Sequence, residues 1–80
     1  MDITLDDVIE ILEDIQEDVD YESCTTLIDD HILDSFDILA IVSAADDEFD
    51  VSIPAKDIIP ANFNSAQALC ALIQRLASED

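Results

Sequence analysis

The chain has 80 residues, half of them apolar, which suits one small domain over residues 1–80 with a single core. Its 21 acids face only two bases, Lys56 and Arg75, for a formal net charge of -19; such a surface repels nucleic acid and anionic lipid and meets basic patches on proteins. No apolar run approaches the roughly 20 residues of a membrane span, no basic leader precedes an apolar one, and the lack of any Gly removes the Gly-rich phosphate loops. The expectation is a cytoplasmic monomer that neither binds nucleic acid nor inserts into a membrane.

The first predicted helix covers residues 3–18. Thr4 with Asp7 fits a capping box in which Asp replaces Glu or Gln. Leu5, Val8, Leu12, Ile15 and Val19 recur at spacings of three and four and form one apolar stripe. Residues 19–34 make a connection long enough to suggest a functional or firmly anchored loop, with Leu27, Ile28, Ile32 and Leu33 as its expected anchors. A second helix is predicted over residues 35–48, capped by Ser35. Ile38, Ile41, Val42, Ala45 and Phe49 form its core stripe, whereas Phe36 and Leu39 lie on a neighbouring face close to Ser35. Pro54 suits the start of a short helix over residues 55–59 that Pro60 ends. The last helix is predicted over residues 64–77, with Asn64 as N-cap, Ala66, Leu69, Leu72, Ile73 and Leu76 buried, and Arg75 complementing the C-terminal dipole. The fold class expected is all-α, a small four-helix bundle of three main helices and one short one.

Little in the chain is suited to chemistry. Cys24 and Cys70 are too few for a disulfide framework, and with His31 they fall one ligand short of a structural zinc site. Cys70 lies in an apolar helical run and reads as a core residue, Cys24 as a loop thiol. Asp46-Asp47-Glu48-Phe49-Asp50-Val51 offers alternating oxygens, but Val51 stands where a calcium loop needs Gly. His31, Asp34 and Ser35 are close in sequence, yet no nucleophile elbow or glycine oxyanion hole accompanies them, so no catalytic residue and no metal site is assigned. What remains is a hydroxyl at the start of an apolar helix, where unpaired N–H groups and the helix dipole favour an anion.

The string Leu33-Asp34-Ser35-Phe36-Asp37, opening an apolar helix after a long acidic loop, resembles the attachment motif of acyl carrier proteins, which serve fatty acid, polyketide and nonribosomal peptide synthesis and D-alanine transfer. Glu48-Phe49-Asp50-Val51-Ser52-Ile53-Pro54 resembles the family's link from its second to its third helix, and Asn62-Phe63-Asn64-Ser65 the approach to its last. The resemblance spans essentially the whole chain in length, order and charge. His31 stands where many relatives have Gly, and Ala40 and Ser43 where fatty acid carriers often have an acid and a large apolar residue.

The resemblance implies that Ser35 is esterified with 4'-phosphopantetheine, taken from coenzyme A by a magnesium-dependent phosphopantetheinyl transferase. Asp34 would help to hold the metal during that transfer. Acyl or aminoacyl groups would ride on the arm as thioesters, loaded by a ligase and passed to synthase or transferase enzymes, and the protein itself would catalyse nothing. Phe36, Asp37, Leu39, Asp46, Asp47, Glu48, Ile53, Lys56 and Asp57 would form the surface those partners touch. A second reading of the same residues is an unmodified acidic helical interaction module.

Overall fold

The computed structural model describes residues 3–78. These are helical with no strand among them: α1 (Leu5–Ile15), α2 (Ser35–Phe49), a 3-10 turn (Ala55–Asp57), α3 (Pro60–Phe63) and α4 (Ala66–Ser78).

The predicted box opens α1: the Asp7 N–H donates to Thr4 Oγ1 at 3.3 Å and the Thr4 N–H to Asp7 Oδ2 at 3.1 Å. Val8, Ile11 and Leu12 are its buried residues. The helix stops at Ile15, short of the expected 18. Gln16 turns extended and Asp18 is left-handed at φ 66°. At this end the Tyr21 hydroxyl reaches the Gln16 carbonyl at 2.6 Å and so supplies a donor to an acceptor past the helix end, with the Leu12 carbonyl, already bonded to the Gln16 N–H at 2.8 Å, also within reach at 3.1 Å. Val19, expected to extend the stripe, is half-buried in the connection instead.

Helix α2 runs one residue beyond the prediction. Asp50 closes it in the left-handed region at φ 56°, and the Asp50 and Val51 N–H groups donate back to Asp46 and Ala45. Ile41 and Ala45 are buried, with Ile38, Val42 and Phe49 packed partly against them, as the stripe requires. Gln16, just past the end of α1, donates to Asp37 Oδ2 in the first turn of α2 at 3.3 Å.

The predicted helix over 55–59 contracts to the 3-10 turn, and Pro60 begins α3 rather than ending its predecessor. A proline serves the first helical position well, since its missing N–H has no partner there anyway. The cap of α4 is Ser65, whose Oγ accepts from the Ala68 N–H at 3.0 Å, and the helix begins at Ala66. Asn64 is taken up elsewhere. Its carbonyl accepts from the Leu27 N–H at 2.8 Å, and its Oδ1 from those of Ile28 and Asp29 at 3.0 and 3.1 Å. These bonds clamp the long connection against the start of α4.

The core joins Val8 and Leu12 of α1, Tyr21, Leu27 and Leu33 of the connection, Ile41 and Ala45 of α2, Val51, Ile53 and Phe63, and Ala66, Leu69, Leu72 and Ile73 of α4. Each fully buried aliphatic or aromatic side chain among these stabilises by about 1.5–3 kcal/mol relative to exposure. The connection thus contributes three core side chains of its own and delivers the chain to α2 along a fixed path.

Candidate functional site

The cap of α2 is Asp34, a correction of the expectation that Ser35 fills that place. Asp34 Oδ1 accepts from the Asp37 N–H at 3.0 Å, and the Asp34 N–H donates to Asp37 Oδ2 at 3.2 Å. The carboxylate one residue earlier reaches the third-position N–H, so Ser35 becomes the first helical residue. Its side chain is exposed and makes no hydrogen bond among the described residues, nor do the N–H groups of Ser35 and Phe36. A free hydroxyl therefore stands beside two unpaired backbone donors at the positive end of a helix.

The loop before it is set by backbone geometry. Leu33 is buried and its N–H donates to the Leu27 carbonyl at 2.9 Å. His31 is left-handed at φ 58°, a conformation a Gly takes at no cost, and its N–H donates to the Ile28 carbonyl at 3.0 Å. The imidazole is exposed and makes no hydrogen bond to Ser35. Among the described residues no group of three or more His, Cys, Asp and Glu is placed to hold a metal ion.

At 3.6 residues per turn, Ser35, Phe36, Leu39, Ala40, Ser43, Asp46 and Asp47 share an arc of α2 about 140° wide, opposite Ile41 and Ala45. Phe36 is 80% exposed and Leu39 61%, the largest such values among the described bulky apolar residues. Leaving a Phe and a Leu in water within a turn of the free hydroxyl stabilises nothing in the fold. Asp46 and Asp47 are also exposed and sit on the same arc, with Asp46 about 16 Å along the axis from Ser35. No family model, curated protein or solved structure matches the chain. The site is therefore read from its own geometry.

Four expected surface residues are placed differently. Ile53 is buried at 7% exposure, because the extended segment alternates and sends Val51 and Ile53 inward and Ser52 outward. Asp57 is paired with Arg75 at 3.1 Å and its carbonyl accepts from Asn62, so it ties the 3-10 turn to α4 and α3. Asp37 is half-buried, its carboxylate held by the cap and by Gln16. Glu48 is exposed but points with Ala44 toward α1. Lys56 remains exposed and makes no ion pair among the described residues.

Sequence reasoning missed Ile59, exposed at 46% beside Pro60, and Tyr21. Burial, reinforced by the negative charges of Asp37 and Glu13, pushes the Tyr21 phenol up to about 12, so it stays a proton donor. Its place as the only Tyr, inside an acidic connection, was the available signal. Burial likewise pushes the Cys70 thiol up, with Asp7 adding to the shift, in keeping with an inert core residue.

Proposed function

We propose that this chain is a carrier of the acyl carrier type, a small helical bundle that bears 4'-phosphopantetheine on Ser35. The observation that carries the reading is the exposed, unbonded Ser35 hydroxyl at the first position of α2, with Phe36 and Leu39 exposed beside it. The group fits the residues present. A phosphodiester on Ser35 would meet the N–H groups of Ser35 and Phe36, which are free among the described residues, and no side chain covers its path to solvent. Asp34 keeps Oδ2 without a hydrogen bond among the described residues, open to a metal ion brought by the modifying enzyme.

In the modification, Ser35 Oγ bonds to the pantetheine phosphorus of coenzyme A. The anhydride bond breaks, the nucleotide leaves with its phosphate, and the hydroxyl proton passes to a base on the transferase. The chain contributes a positioned nucleophile and a docking arc, not the base. Once attached, the arm supplies a thiol for thioester cargo. The apolar pair next to Ser35 supports weak, specific docking, and Asp46 and Asp47 support fast encounter with basic enzymes. A carrier that must leave each enzyme needs both.

Incubation with coenzyme A, magnesium and a promiscuous phosphopantetheinyl transferase, followed by intact mass, tests the reading. One phosphopantetheine per chain is expected, and none on Ser35→Ala. If no transferase modifies the folded protein while a basic partner binds equally to the wild type and Ser35→Ala, the unmodified interaction module is the better reading of the Phe36–Leu39 arc.

A further inference from the structure

A hollow lies on another side of α2 from the Ser35 arc. Asp7, Glu10, Ile11, Asp14 and Ile15 of α1 face Ala44, Glu48 and Phe49 of α2 across a groove of about 310 Å³. On α1 these positions recur at spacings of three and four over about 12 Å, so the groove follows one helical stripe for two turns. Its floor is apolar, made by Ile11, Ile15, Ala44 and Phe49, and its rim carries four carboxylates. Such a volume is at the small end of ligand pockets and suits a few anchoring side chains better than a whole cofactor.

Among the described residues no Lys or Arg pairs with the rim charges. The ion pair present among them is Arg75 with Asp57, and neither residue lines this groove. Asp7, Glu10 and Asp14 instead repel one another along α1. An apolar floor between unpaired acids is complementary to a helix that carries aliphatic side chains on one stripe and Lys or Arg on either side of it. Free polyamines or metal ions would match the rim but leave the floor unused. The groove also lies on a different face of α2 from the carrier site, and Ala44, its α2 lining residue nearest Ser35 in sequence, is about 14 Å along the axis from it.

We propose that the groove between α1 and the C-terminal half of α2 is a docking site for a basic amphipathic helix of a partner protein, one that can be occupied while Ser35 remains accessible. A fluorescent Lys/Leu amphipathic peptide of about 15 residues serves as probe, titrated against the full chain at physiological salt. Glu10→Lys with Asp14→Lys should weaken binding roughly tenfold or more. Glu17→Lys with Glu22→Lys, the same charge change at exposed positions outside the groove, should weaken it far less, and Ser35→Ala not at all. An all-Lys peptide of equal length should bind more weakly than the amphipathic one. Equal losses from the two charge-reversed pairs, or equal binding of the all-Lys peptide, would reduce the effect to general attraction and overturn the proposal. Loss on Phe36→Ala with none on Glu10→Lys and Asp14→Lys would place the peptide on the other arc and also overturn it. Because the mass test of Ser35 does not involve this groove, either idea can fail alone.

Discussion

Helices α1 and α2 open with the same device and diverge one residue later. Thr4 with Asp7 and Asp34 with Asp37 each form a reciprocal box, with bonds of 3.0–3.3 Å in both. After Thr4 comes Leu5, half-buried against the core, and then exposed Asp6. After Asp34 comes exposed Ser35, and then Phe36 at 80% exposure. The first arrangement sends oil inward and charge outward, as stability asks. The second inverts it, with a hydroxyl and a phenyl ring both offered to solvent. A positive helix end is thus not in itself a site; what the first turn places around it decides.

The largest effect expected from breaking this contrast is on modification. Ser35→Ala should lose the phosphopantetheine adduct completely, and adding Leu5→Ser, which puts a hydroxyl at the matching position of α1, should not restore it. Intact mass on variants shown by circular dichroism to be folded decides the point. Restoration at position 5 would mean that a capped helix start is all the transferase requires.

The approaches to the two helices differ as well, and Tyr21 sharpens that difference. Folding raises its phenol from 10.0 to about 12, so its contribution is intact below pH 10 and is lost as the pH climbs through 12. Across that window the wild type should lose on the order of 2 kcal/mol more stability than Tyr21→Phe, measured by urea unfolding. Tyr21→Phe should itself cost about 1–2 kcal/mol at neutral pH by leaving the part-buried Gln16 carbonyl short of a donor. Parallel pH profiles would show that the Tyr21 hydroxyl does not help to hold the connection.

Cap removal comes next in size. Thr4→Ala and Asp34→Ala should each destabilise by about 1 kcal/mol in urea unfolding, since the two boxes are alike. Only Asp34→Ala should also slow modification. The smallest effect is on Phe36→Ala, which should leave stability within about 0.5 kcal/mol yet raise the KM of the transferase for this protein.

The long helices were legible because apolar spacing records which face is buried, and that pattern placed Ile41, Ala45, Leu69 and Ile73 correctly. The same spacing left Phe36 and Leu39 outside the core, where the structure has them. Adjacent capping residues were harder. Asp34 and Ser35 both suit an N-cap, and the three-residue spacing to Asp37 was the clue that favoured Asp34. Pro60 was ambiguous because proline both ends and begins helices. Asn64 could not be resolved locally, since its oxygen is recruited by Ile28 and Asp29, 36 and 35 residues away. The pairing of Asp57 with Arg75 is equally a matter of tertiary contact. Ile53 carried a missed local signal, the Val51-Ser52-Ile53 alternation of an extended segment.

The most direct test is to digest the protein after treatment with coenzyme A and transferase and to map the adduct by fragment masses. The account predicts a single phosphopantetheine on the peptide holding Ser35, with Ser43 and Ser52, which are also exposed, unmodified. An adduct on either of those serines, or none on any peptide of a folded sample, would contradict it.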